Sequence, residues 1–435
     1  MRPGPAQQLV TSLAQREQSA VEAVESAIAR IEAGDAEINA VVVRDFDRAR
    51  AQAAKADEHL ARGDRAPLLG LPMTVKESIN VAGLPTTWGL KEHAEFIAER
   101  DAEVVARLRS AGAIILGKTN VPPFLADLQA SNPVYGVTHN PHRRGMSPGG
   151  SSGGSAAALA AGFVLAEVGS DIAGSIRTPA AFCGEWGLKP TYGVVPQAGH
   201  SYPGTDGADP HLAVVGPLAR DVGDLDLLLG VLAQHPLSPP RRESLHALRV
   251  VVVTDHPLTH CSADVTRALH SQGARLEERG AFVDLDPQLP ELEDMHHEYL
   301  RLLNTVMFRG LPPAGREPLT LVQWFDMLDL HARTGRVWDE LFRQRYDVVL
   351  APILGTTAFP IDEANLPTRT LDIDGSEVPF APQLAWAGLA TYPGLPAVAF
   401  PSGLSEDGMP IGLQLIGPRF GDRQVLRIAE LLTTH

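Results

Sequence analysis

Residues 145–192 read GMSPGGSSGGSAAALAAGFVLAEVGSDIAGSIRTPAAFCGEWGLKPTY, and the rest of the chain reads as scaffold around them. Gly149, Gly150, Gly153 and Gly154 bracket the pair Ser151-Ser152, and a second glycine-flanked serine, Ser175, closes the run from Gly169. Glycine accepts positive φ and lets another segment approach closely, so two such clusters predict two loops meeting at one site. Gly145-x-x-x-x-Gly150 has the spacing of a phosphate-cradling loop, but Ser151 stands where that loop needs lysine. Gly150-Ser-Ser152-Gly-Gly154 fits a nucleophile elbow, which requires a buried strand just before it. Residues 140–149, NPHRRGMSPG, are too polar and proline-rich to supply one. A glycine-serine linker is the bland alternative, yet linkers do not run straight into an apolar helix.

The second cluster adds chemistry. Residues 155–162 predict a helix, 163–168 a short apolar strand or connector, and 171–175 a tight loop whose consecutive N–H groups would form an anion nest. Ser175 at its end is a nucleophile in need of a base. No histidine lies in either cluster, so a Ser-His-Asp arrangement would have to recruit His200, His211 or another distant imidazole.

GGSSGGSAAALAAG, GSDIAGSIRTPAAFCG and GLKPTYG together resemble the amidase signature family of serine hydrolases. LLGLPMTVKESINVAGLPTTWG, AGAIILGKTNVPPF and NPVYGVTHNP extend the resemblance upstream; LAVVGPLARDVGDLDLLLGVLA, YDVVLAP and GLPAVAFPSGLSEDGMPIGLQLIGPRFGD extend it downstream. Residues 236–347 carry little of it. The resemblance implies a Ser-cisSer-Lys triad: Lys76 as general base, Ser151 after a cis peptide as the bridging serine, and Ser175 as nucleophile. It also implies an oxyanion hole from Ile172, Ala173, Gly174 and Ser175, with alanine at 173 where the family usually has glycine. Lysine works as a base only when neutral, and burial favours that form. Lys76 ends the apolar run Leu71–Val75, which would plant it inside the fold; the bland reading is a surface lysine beside Glu77.

Length 435, 44% hydrophobic and 20% charged residues describe an ordinary globular composition. The formal charge of −15 argues against a nucleic-acid surface or an anionic membrane as partner. Cys183 and Cys261 make no disulfide framework, and Cys183 reads as a packing residue. Neither a signal peptide nor a membrane-length apolar segment is visible, so the expected location is the cytoplasm.

Ser19-x-x-Glu22 predicts a capped helix with Val21, Val24, Ile28 and Ile31 on one face, stopped at Gly34. Strands are expected at 40–43, 71–75, 113–116, 248–253, 282–286, 395–400 and 411–416, and helices at 45–61, 101–111, 225–232, 263–278, 291–308, 319–342 and 423–432. Residues 120–140 should line a substrate pocket, with Asp127 and Gln129 as its polar candidates. Residues 381–394 should wall it, with Trp386 and Tyr392 as aromatic candidates. Asp171 and Arg177 are expected to pair and hold the nucleophile loop. Residues 194–211 suggest a lid whose histidines read as solvated, His296-His297-Glu298 a solvated helix face, and 372–375 a hairpin turn.

The expectation is one large α/β/α domain over residues 1–435, a mixed sheet between helices, with the helices of 19–61 packed on the core. It should be a cofactor-independent, metal-free hydrolase of small-molecule amides, with esters and aryl carbamates also in reach, acting as a monomer or homodimer. An amidotransferase-type subunit working on tRNA with partner chains is the alternative; His211-Leu-Ala-Val-Val before Gly216-Pro217 departs from that group's usual sequence. A catalytically dead binding protein is a third reading, disfavoured because all three triad positions are present.

Overall fold

In the computed structural model, which describes residues 1–285, 287–308, 317–364 and 366–434, the Pro72–Lys76 strand lies inside an eleven-stranded sheet. The spatial order is Val41–Arg44, Ile114–Thr119, Pro72–Lys76, Ala166–Asp171, Val214–Ala219, Trp186–Lys189, Ala397–Leu404, Pro410–Ile416, Val348–Pro352, Arg249–Val252 and Phe282–Asp284. Pro72–Lys76 runs parallel to both its neighbours, whereas Ala166–Asp171 and Val214–Ala219 run antiparallel. The sheet is therefore mixed, as expected.

Side-chain alternation along the strands assigns the two faces. Val348 and Leu350 point to one apolar cluster, covered by helices Glu103–Ser110, Val222–Leu232, Ala263–Glu278 and Asp422–Thr433. Val349 and Ala351 point to the other face. That face is divided. One part packs under Ala20–Ile38, Phe46–Ala61, Gly153–Ala160 and Arg177–Cys183; the other packs under Leu292–Met307, Leu321–Gln344 and Leu384–Thr391. The 172–176 loop crosses between them, since Ile172 and Ala173 pack on the second part and Ile176 on the first. Each fully buried leucine here, Leu413 and Leu415 among them, contributes about 1.5–3 kcal/mol relative to exposure.

Local rules hold where the expected signals were strong. Ser19 Oγ accepts from the Glu22 N–H and the Ser19 N–H donates to the Glu22 carboxylate, closing the capping box. Val24, Ile28 and Ile31 are buried, although Val21 is exposed. Helix Ala20–Ile38 does not stop at Gly34. It continues because Gly34 lets the Phe163 ring pack closely, where a Cβ would lie 3.0 Å from it, and Asn39 ends the helix in the left-handed region. Thr370–Ile373 and Ser376–Pro379 form the expected hairpin, with positive φ at Asp374 and Gly375. Arg249–Val252 and Phe282–Asp284 pair in parallel across Ala263–Glu278; the expected strand end at Asp286 lies outside the described residues.

Candidate active site

Burial of the whole Pro72–Lys76 strand and its alternation put Met73 and Val75 in the first cluster and Thr74 and Lys76 on the divided face. Lys76 is fully buried, and its Nζ donates to Ser151 Oγ at 2.7 Å, to Ser170 Oγ at 2.9 Å and to the Ser170 carbonyl at 3.4 Å. Burial pushes its pKa down to about 7, although Asp171 and Glu167 pull the other way. A sizeable neutral fraction therefore exists near pH 7. Ser170 lies in the motif that begins at Gly169 but was not among the expected site residues; it is placed beside Lys76 by the register Thr74↔Glu167 and Val75↔Val168.

The adjacent serines are separated by what they bond. Ser151 follows a cis peptide from Gly150 and meets Lys76. Ser152 Oγ instead accepts from the Ser170 N–H and donates to its carbonyl, both at 3.3 Å, so the elbow's serine is a structural strut. Gly150 is required because a Cβ there would lie 2.2 Å from the Gln129 carbonyl oxygen and 2.4 Å from that of Asp127.

Ser175 ends the loop after strand Ala166–Asp171 and is 4% exposed. Its carbonyl accepts from the Ser152 N–H at 3.1 Å, which ties the two serine loops together. Among the described residues, no hydrogen bond joins Ser175 Oγ to Ser151, Lys76 or a histidine. The Asp171 carboxylate organises this loop: it accepts from the N–H groups of Gly174 at 2.8 Å and Ile176 at 3.1 Å, and from Arg177 Nε and Nη2 at 3.0 and 2.9 Å. Burial opposes the Asp171 charge, but Arg177 outweighs it and holds the pKa at about 2. Arg177 also donates to the Ala387 carbonyl, Gln414 Oε1 and Thr391 Oγ1, so the expected pair is the centre of a buried network.

That network engages one of the expected oxyanion donors. The Gly174 N–H is committed to Asp171, which leaves Ile172, Ala173 and Ser175 as the loop's candidate donors. The loop's positive φ, 95°, falls on Gly174 and not on Ala173, so alanine is accommodated at 173 without entering the left-handed region. Tyr299 Oη donates to the Ile172 carbonyl at 2.9 Å and buttresses the loop from helix Leu292–Met307.

The pocket candidates fare differently. Asp127 bonds Arg369 Nη1 at 2.5 Å, and Gln129 exchanges two hydrogen bonds with the Asp362 backbone, both at 2.8 Å. Their side chains thus anchor Asp362 and Arg369, while their carbonyls back Gly150. Trp386 is fully buried against His256, with ring centroids 5.6 Å apart. His200 is not solvated: it is buried, meets Ser78 Oγ at 3.1 Å through Nε2 and stacks on Trp88. His211 stacks on Tyr192. His296 is also buried, so only part of 296–298 is a solvated face. Cys183 is buried, as a packing residue should be. Among the described residues no group of His, Cys, Asp or Glu is arranged to hold a metal, and no helix is long and apolar enough to cross a membrane.

A mixed α/β fold of this layout, with Lys76 on Ser151 beside the Ser175 loop, points to one class of enzyme, and sequence comparison agrees. The Amidase family profile matches residues 22–308 and 323–426, and the chain belongs to that family, in its amidase signature group. An acylamidase of Rhodococcus erythropolis is 34% identical, covering 98% of this chain and 94% of its own. A glutamyl-tRNA(Gln) amidotransferase subunit of Koribacter versatilis is 32% identical over 96% and 95%. The solved 6-aminohexanoate cyclic dimer hydrolase, in complex with substrate, superimposes with a TM-score of 0.83 at 26% identity, covering 99% of this chain and 96% of that one. The profile match leaves out 309–322 and includes the rest of 236–347, where the sequence motifs were sparse.

Proposed function

We propose that this chain hydrolyses linear carboxylic amides through an acyl-enzyme on Ser175. Neutral Lys76 takes a proton from Ser151, which takes one from Ser175 as its Oγ attacks the carbonyl carbon. The N–H groups of Ile172, Ala173 and Ser175 hold the developing oxyanion. The proton then returns through Ser151 to the departing amine, and water repeats the sequence to release the acid. Esters and aryl carbamates present the same carbonyl and fall within the same chemistry.

The observation that carries this reading is the 2.7 Å contact between a fully buried lysine with pKa near 7 and the hydroxyl of Ser151. The likeness to an acylamidase supports it. The likeness to amidotransferase subunits of similar identity keeps a second reading, a chain that needs partner chains to act. Incubating the isolated chain with a mixed library of amides, esters and carbamates separates the two. Amide products, together with an acyl adduct on Ser175 by mass spectrometry, support the hydrolase. Silence on all substrates until partner chains are added supports the other.

A further inference from the structure

Beyond the loop, three polar side chains meet in the core from separate elements. His256 follows strand Arg249–Val252, His296 sits on helix Leu292–Met307 and Trp386 on helix Leu384–Thr391. They are 7%, 4% and 0% exposed. The His256 ring lies 5.6 Å from Trp386 and 6.1 Å from His296, centroid to centroid. Among the described residues, His256 Nε2, His296 Nδ1 and Trp386 Nε1 are all buried without a hydrogen-bond partner. A buried polar group without a partner is costly, and three in one neighbourhood point to a partner brought from outside.

The donors define that partner. Indole Nε1–H only donates. His256 Nδ1 accepts from the Leu258 N–H at 3.2 Å, which leaves its proton on Nε2, so that atom donates as well. Burial pushes both histidines down to about 4, so they are neutral near pH 7. An anion would have to draw a proton onto His256 against that burial, whereas a neutral acceptor needs none. The cluster is continuous with the candidate site: Trp386 and Tyr299 share one apolar cluster, on which Ile172 and Ala173 pack, and Tyr299 bonds the Ile172 carbonyl.

We propose that His256 and Trp386, with His296 closing one side, form a substrate subsite for a neutral hydrogen-bond acceptor: a ketone-type carbonyl oxygen carried on the substrate away from the scissile amide. The proposal rests on the amide-hydrolase reading of the Ser175 site. A site built to hydrogen-bond one oxygen discriminates against the analogue lacking it, because its own buried donors are then left unpaired.

Two matched pairs test it, with kcat/KM read by product mass spectrometry. One pair places the ketone on the acyl side, as the 4-oxopentanoyl and pentanoyl anilides. The other places it on the amine side, as N-(4-oxopentyl)butanamide and N-pentylbutanamide. In the native chain the ketone member of one pair should be preferred by about tenfold or more. Trp386→Phe and His256→Leu should bring that preference near unity, and His256→Gln, which keeps a donor, should restore part of it. No preference in either pair, or a preference that survives both variants, overturns the subsite. Binding is read separately by calorimetry on Ser175→Ala with the same four compounds. Tighter binding of a ketone member there upholds the subsite even if the native chain hydrolyses none of them, an outcome that would defeat only the hydrolase reading. Equal binding within each pair, as expected if the three side chains are merely hydrated, overturns it.

Discussion

Lys76 and Lys189 are both fully buried, and burial pushes both down to about 7, yet their hydrogen-bond partners differ. Lys76 faces two hydroxyls, Ser151 and Ser170. Lys189 faces two carbonyl oxygens, those of Leu395 at 2.7 Å and Pro190 at 3.1 Å. A hydroxyl donates and accepts, so it can pass a proton on; a carbonyl only accepts. Desolvation supplies a weakly held proton in both places, but only Lys76 touches hydroxyls that can pass it on. A perturbed pKa by itself would have marked both lysines equally.

The largest effect is expected at Ser175. Ser175→Ala should lower turnover by several orders of magnitude with the fold intact by circular dichroism, because the proposed covalent step is lost. Near-native rates in Ser175→Ala combined with collapse in Ser152→Ala would revive the nucleophile-elbow reading.

The two lysines can then be set against each other. Lys76→Ala should cost about 100- to 10,000-fold on amides and clearly less on activated esters, whose leaving groups depart without a proton. Lys189→Met should keep kcat within about tenfold but lower the melting temperature, since two buried carbonyls lose their donor at about 1–3 kcal/mol. Equal kinetic losses in the two variants would erase the distinction between them.

Titration sharpens it further. Activity should fall as pH is lowered through about 7, where Lys76 protonates, and this acid limb should stay in place in Lys189→Met. Stability moves in a related way. Both lysines have folded pKa values near 7, below the 10.5 of the free side chain, so between those values the unfolded chain binds more protons. Their destabilising contribution is complete below about 7 and is relieved as pH rises toward 10.5. Urea unfolding across that range should show stability gained on going alkaline, and a shallower gain in Lys189→Met.

The smallest effect is expected at Ala173. With the positive φ carried by Gly174, the loop is competent as it stands, so Ala173→Gly should change kcat by less than about tenfold. The extra freedom of glycine in the unfolded chain should cost about 0.4–1 kcal/mol, read as a slightly lower melting temperature. A gain of several hundredfold in kcat would show a misaligned native loop.

Much of the architecture was legible because its signals are local. Ser19-x-x-Glu22 caps its own helix, Ala263–Glu278 shows its amphipathic period, and the Asp372–Gly375 turn needs only its own residues. Strands Trp186–Lys189 and Val214–Ala219 were missed because Gly187 and Pro217 break the usual strand pattern. Long-range pairing with Ala166–Asp171 and Ala397–Leu404 overrides it. Gly34 misled for the same reason: its packing partner Phe163 lies far along the sequence.

The motifs around Lys76, Ser151 and Ser175 determined the family and the residue types of the candidate site, since the identity of a side chain does not depend on what surrounds it. The tertiary structure decided their states. It buried Lys76 and set Ser170 beside it, gave Ser152 a backbone partner and Ser151 the lysine, and turned the Gly174 N–H toward Asp171. It also tied the Asp127 and Gln129 side chains to Arg369 and Asp362 and gathered His256, His296 and Trp386 from three distant segments. The reason is physical: side-chain identity is written residue by residue, but desolvation and hydrogen-bond partners are properties of neighbours, and here the neighbours come from distant parts of the chain.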